Sequence, residues 1–302
     1  MHFQIGGSEM IDLHMHSHFS DGSLSPSQLV EEARMRGLTA IALTDHDTID
    51  GVPEFLEAGR RLGVTTVAGV EISVDTKLPN NGHMHMLGLF IDPTSQKLKA
   101  TLDYLREQRN RRAEKIIRKL NELGISVTLE ELLEEAGEGS IGRPHVAKIL
   151  IQKGVVTSIQ EAFDVYLAKG KPAYMDKVKL NEMDAIQMIH DAGGLAILAH
   201  PHLMNYPTFE EAKQRILQLR EIGLDGFEIY YSTMPLEYSQ GLIQLAREMG
   251  FATSGGSDYH GANKDNIHMG SGLGDLAVPD ELYIELKKFW ESRMAERLTV
   301  NK

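Results

Sequence analysis

The chain has 302 residues, 42% of them hydrophobic and 25% charged, and its 31 basic side chains against 43 acidic ones give a formal net charge of -12. That length suits a single large α/β domain with an appended element, and the acidic balance argues against sequence-independent binding of long duplex DNA, which needs basic surface to neutralise phosphates. There are no cysteines, which excludes disulfides and a cysteine nucleophile and leaves imidazole and carboxylate as strong ligands, a set suited to manganese, iron or zinc.

No apolar run approaches the roughly 20 residues that span a bilayer, and residues 1–7 lack the charged start and apolar centre of a signal peptide. No membrane association and a cytoplasmic location are the expectation.

Met10-Ile11-Asp12-Leu13 reads as a first strand, and His14-Met15-His16 follows it. Imidazoles two apart at a strand end share a side and can grip one ion, and Asp21, in the Ser20-Asp21-Gly22 turn, can fold back over them. Ser25 and Pro26 mark a helix start. A strand near residues 40–44 leads into Asp45-His46-Asp47, of which His46 is the candidate ligand and Asp47 a helix cap or an orienting group. A helix over 50–62 and a strand over 65–71 follow, and Glu71 at that strand's end is costly to bury unless it is paired or bound to metal, so it is expected to bridge two ions. Asn80-Asn81-Gly82 looks like a hairpin turn before a strand or strand pair over 83–91, with His85 preferred to His83 as the ligand.

After Asp92-Pro93 the βα alternation breaks. Residues 94–177 read as an inserted helical subdomain, a substrate cap with helices over 98–123, 129–135, 144–153 and 159–167. Alternation resumes with a helix over 181–192, a strand over 195–198 ending in Ala199-His200-Pro201, a helix over 209–222, a strand over 226–229, a helix over 235–249 and a strand over 251–254. Asp258 and His260 follow a small-residue loop that lets backbone approach a crowded site. The barrel domain thus covers 10–93 and 178–302. In a parallel β/α architecture the strand ends share one face, so the clusters converge into one site. His190, inside an amphipathic helix, reads as structural.

The series His14-x-His16 with Asp21, Thr44-Asp45-His46-Asp47, Gly69-Val70-Glu71-Ile72-Ser73, His85-Met86-Leu87-Gly88, Ala199-His200-Pro201 and Gly256-Ser257-Asp258-Tyr259-His260 resembles that of the polymerase and histidinol phosphatase (PHP) superfamily. Gly142-Arg143-Pro144-His145 and the stretch from Tyr166 to Tyr174 resemble its branch of nucleoside 3′,5′-bisphosphate phosphatases that also degrade short RNA from the 5′ end. The resemblance implies a distorted (β/α)7 barrel and two or three divalent ions held by His14, His16, Asp21, His46, Glu71, His85, His200, Asp258 and His260. A basic residue that many relatives carry after Ala199-His200-Pro201 is replaced here by His202-Leu203-Met204-Asn205.

The ligand chemistry points the same way. Nine candidate ligands exceed what one ion takes, and their three carboxylates would leave three divalent ions with about three units of positive charge, attractive to phosphate despite the acidic surface. Water activated by the ions is the expected nucleophile, with Glu71 and Asp21 in the catalytic centre and His202 or a bound water protonating the leaving oxygen. In the insertion, Arg143 at a helix start is a candidate for a second phosphate, with His145 named beside it and Lys169 and Lys171 as weaker candidates for the same role. The run Arg106, Arg109, Arg111, Arg112, Lys115, Arg118 and Lys119 reads equally well as a solvated face. A phosphoesterase acting on nucleotides or short oligonucleotides is favoured over a small-molecule phosphatase such as one for histidinol phosphate, and that over an amidohydrolase, which would usually carry a lysine in its inner strands. Oligomeric state is not legible.

Overall fold

A computed structural model describes residues 10–137 and 141–300. Residues 1–7, read above for a leader, and residues 138–140 of the insertion lie outside the described residues. The chain divides into two compact units, one made of the described residues up to Lys99 and from Leu180 onward, the other of Ala100–Lys179.

The first unit is α/β. Its strands β1 (Met10–Met15), β2 (Leu38–Leu43), β3 (Thr65–Val74), β4 (Met84–Leu89), β5 (Leu195–Leu198), β6 (Gly226–Tyr231) and β7 (Ala252–Gly256) form one sheet in chain order. The sheet curls until its ends nearly close a barrel: the Asp258 amide donates to the His14 carbonyl and the His16 amide to the Tyr259 carbonyl, both at 2.9 Å. Ile11, Leu13, Ile41, Leu43, Ile72, Leu87 and Phe227 are fully buried. Each such side chain contributes about 1.5–3 kcal/mol by leaving water.

Two expectations are corrected here. The strands are not all parallel, because β4 runs antiparallel to both β3 and β5. Glu71 also does not end its strand: β3 continues to Val74, since pairing with β4 (Glu71 with Leu87, Ser73 with His85) carries it three residues further. The reversal has a functional consequence. It brings the start of β4, rather than its end, to the face where the other strands finish, and His85 stands at that start.

Helices cover the sheet, with α1 (Pro26–Met35) capped by Ser25 and Gln28 in a reciprocal pair, then α2 (Val52–Leu62). The second unit begins within α3 (Gln96–Glu122), followed by α4 (Leu129–Ala136), α5 (Arg143–Gln152) and α6 (Ile159–Ala162). Ile116, Leu120, Leu132, Val146, Leu150 and Leu167 give it a core of its own. In the first unit again, α7 (Glu182–Asp191), α8 (Phe209–Glu221) and α9 (Leu236–Met249) fill the crossovers. A last helix, α10 (Asp280–Val300), lies beyond the expected elements; its Trp290 indole donates to the Gly193 carbonyl at 2.7 Å.

Candidate metal centre

The nine predicted ligands meet at the carboxyl-end face of the barrel. His14, His16, Glu71 and Asp258 form one group whose ligand atoms lie within 4.8 Å of one another, His16, Asp21, His46 and His260 a second, His46, Glu71 and His85 a third, and His83, His85 and His200 a fourth. His83 is the member that the ligand set above left out. It is exposed, and its ring centroid lies 5.2 Å from that of His85.

Glu71 is the hub. Its Oε2 lies 3.4 Å from His14 Nε2, 3.3 Å from His16 Nε2 and 3.0 Å from His46 Nδ1, and its Oε1 lies 2.8 Å from His85 Nδ1 and 3.1 Å from His200 Nε2. Asp258 Oδ1 approaches His16 Nε2 at 3.1 Å, and Asp21, half-exposed at the mouth, approaches His260 Nε2 at 3.2 Å. Among the described residues, His14 Nε2, His16 Nε2, His46 Nδ1, Asp21 Oδ1 and Glu71 Oε2 are buried polar atoms without hydrogen-bond partners. Unsatisfied buried polar atoms are expensive, and five aimed at one small volume, all oxygen or imidazole nitrogen, fit divalent cations.

The electrostatics agree. Burial pushes the Glu71 carboxyl up, but the imidazoles of His46, His85 and His14 outweigh it and hold the group well below the usual carboxylate range. Burial pushes His14 and His16 down, yet Glu228, Glu71 and Asp258 raise the first well above its ordinary value, and Asp258 and Glu71 bring the second up to about 9. Burial wins at His85, pushed down to about 3 despite Glu71. Carboxylates that pull protons onto neighbouring imidazoles form a pocket that favours cations.

The backbone is shaped for this convergence. Asp47, His200 and Asp258 take φ of 53°, 31° and 59°, left-handed values unusual for residues with side chains. A Cβ on Gly256 would lie 2.4 Å from the His14 amide nitrogen, so only glycine lets β7 come this close to β1.

A ring of acids orients the ligands. Glu228, fully buried, places Oε1 3.0 Å from His14 Nδ1 and accepts the His200 amide on Oε2 at 2.6 Å. Asp45 accepts the Ser17 amide and the Ser17 and Ser20 hydroxyls, and Asp12 accepts the Ser257 amide and hydroxyl and the Gly270 amide. Asp47 accepts the Ser73 amide at 3.1 Å, an orienting contact, and α2 is capped at Gly51 without a side-chain bond. Sequence reasoning missed Glu228, although its signal was the one used for Glu71: a lone carboxylate in an apolar strand, Gly226-Phe227-Glu228-Ile229. Tyr231 and Lys264, which both bond Asp258, gave no such signal.

His202 places Nε2 3.1 Å from Thr233 Oγ1. Burial, with His200 and His83 nearby, pushes it down to about 4, so it stands neutral at pH 7. The insertion's candidates belong to the second unit. There Arg143 donates to the Leu167 carbonyl at 3.0 Å and lies over the Phe163 and Tyr174 rings at 5.2 and 5.6 Å, the Gly142 amide donates to His145 Nδ1, and Lys171 is exposed.

The PHP domain model matches residues 12–288. A 5′-3′ exoribonuclease of Haemophilus influenzae is 37% identical over 249 residues, 82% of this chain and 89% of that protein. A 3′,5′-nucleoside bisphosphate phosphatase of Chromobacterium violaceum is 33% identical across 86% of this chain and 90% of its own. Among solved structures, a Bifidobacterium adolescentis protein described as a metal-dependent phosphoesterase superposes with a TM-score of 0.78 at 29% identity, covering 94% of this chain and 97% of that one.

Proposed function

Because the chain belongs to the PHP family of phosphoesterases, we propose that it hydrolyses phosphate esters of nucleotides, removing the 3′-phosphate of nucleoside 3′,5′-bisphosphates or releasing nucleotides from the 5′ end of short RNA. One observation carries the reading: a fully buried glutamate, Glu71, with five imidazole nitrogens within 3.4 Å and, among the described residues, no guanidinium or ammonium on its unpartnered oxygen.

His14, His16, Glu71 and Asp258 would hold one divalent ion, Asp21, His46 and His260 a second, and His85 and His200 with Glu71 a third, of manganese, iron or zinc. When bound, the ions supply an acidified water and neutralise charge on the phosphoryl oxygens. The chain's own groups do the rest. Glu71 spans the ligand groups, Glu228 fixes the His14 ring and the His200 backbone together, and the leaving oxygen would take its proton from water, either directly or relayed through the neutral His202.

The phosphate that is not cleaved is assigned to Arg143, with His145 and Lys171. The guanidinium is braced by a carbonyl and two rings before any ligand arrives, which lowers the ordering cost of binding. The test compares adenosine 3′,5′-bisphosphate, short 5′-phosphorylated RNA and histidinol phosphate after chelation and add-back of each metal. Arg143→Ala should lower kcat/KM on the bisphosphate about ten- to a hundredfold, the worth of a charge-assisted contact of about 1.5–3 kcal/mol, and spare a simple monoester. Preference for histidinol phosphate, or equal losses on both ester types, would overturn the nucleotide reading.

A further inference from the structure

Asp258 has two oxygens in different surroundings. Oδ1 faces inward, 3.1 Å from His16 Nε2 and 3.4 Å from His14 Nε2. Oδ2 accepts the Tyr231 hydroxyl at 2.8 Å and the Lys264 ammonium at 2.8 Å. The donors come from separate places, Tyr231 from the last residue of β6 and Lys264 from the end of the helical turn Gly261–Lys264. The Asp258 amide donates to the His14 carbonyl, and the preceding Ser257 amide to Asp12. The backbone is thus fixed independently of the side-chain contacts.

We propose that Tyr231 and Lys264 act as positioning residues that clamp Asp258 into the role of a one-oxygen metal ligand. The proposal rests on the metal-centre reading. A carboxylate can offer an ion one oxygen or two, and a second oxygen fills a coordination position that water or a substrate oxygen would otherwise take. With Oδ2 engaged by two donors, only Oδ1 is presented to the imidazoles. Neither clamp residue needs to touch the substrate, and neither emerges from the ligand motifs.

Charge and orientation can be separated. Tyr231→Phe removes a donor without changing charge. Lys264→Met removes a donor and also an ammonium that repels divalent ions, two effects of opposite sign. The experiment titrates Mn²⁺ into the metal-stripped full-length protein, reading free Mn²⁺ by electron paramagnetic resonance. Tyr231→Phe should weaken one class of site by about tenfold or more, as loss of an orienting contact usually does. Lys264→Met should weaken the same class by less, and Lys264→Arg should stay near the wild type.

Wild-type affinity in Tyr231→Phe, or tighter binding in Lys264→Met, would overturn the clamp while leaving the metal centre standing. Absence of Mn²⁺ binding by the wild type would overturn both. Should Tyr231→Phe fail to fold, the contrast between Lys264→Met and Lys264→Arg decides: equal affinities overturn the clamp.

Discussion

Two carboxylates are buried at different places in the first unit, and they are satisfied in opposite ways. Asp225, just before β6, places Oδ2 2.7 Å from His190 Nε2, accepts the Ala196 amide at 2.9 Å, and has guanidinium nitrogens of Arg293 and Arg297 at 3.5 and 4.0 Å. Glu71 has five imidazoles, no guanidinium or ammonium among its contacts, and unpartnered nitrogens pointing at its free oxygen. The chain supplies Asp225 with guanidinium counter-charges and surrounds Glu71 with imidazoles alone, groups that give up a proton to bind metal. A buried acid paired with permanent guanidinium charge stabilises a fold; one ringed by imidazoles, which exchange a proton for a metal ion, is a binding site.

That contrast predicts two variants with opposite signatures. Glu71→Gln should lose at least one metal equivalent by elemental analysis and on the order of a thousandfold in kcat, since a neutral amide cannot share its charge between ions. Its metal-free stability should hold. Full metal occupancy in this variant would break the comparison. Asp225→Asn should do the reverse, costing about 3–5 kcal/mol in urea unfolding, as removal of one partner from a buried ion network does, with metal content unchanged. Metal loss there would mean that the two carboxylates are not separate devices.

How much of this the sequence carried depends on range. His14, His16, His46 and His200 stand just after an apolar run, so local pattern located them, and Glu71 betrayed itself by interrupting one. His190 was read as structural from its amphipathic helix, and it faces Asp225. The direction of β4 was not legible, because alternation looks the same whichever way a strand runs. Its consequence, that His85 belongs to a strand's beginning, was therefore hidden too. Helix α10 escaped because only a few of its positions, such as Leu282 and Leu286, are buried, and its Trp290, Arg293 and Arg297 attach through polar contacts that have no period. Tyr231 and Lys264 reach Asp258 through the fold alone.

Glu228 lies between the two cases, since it is buried and its contacts are to the ligands His14 and His200 rather than to a guanidinium. If it orients them, Glu228→Gln should reduce metal affinity or kcat about ten- to a hundredfold while the amide keeps the side chain's volume. A loss confined to unfolding free energy would move Glu228 to the structural side.

The smallest effect is expected at the rim of the Asp225 network. Arg297 is partly exposed, its Nη2 is 4.0 Å from Asp225, and its Nη1 donates to the Gly194 carbonyl at 3.1 Å. Exposed ion pairs contribute about 0–1 kcal/mol, and solvent can replace a hydrogen bond to a carbonyl at this edge. Arg297→Ala should therefore cost no more than about 1 kcal/mol in urea unfolding, because His190 and the Ala196 amide keep Asp225 satisfied at much shorter range. Metal content should be untouched. A cost approaching that of Asp225→Asn would mean that the distant guanidinium, and not the close imidazole, is the counter-charge on which the buried aspartate depends.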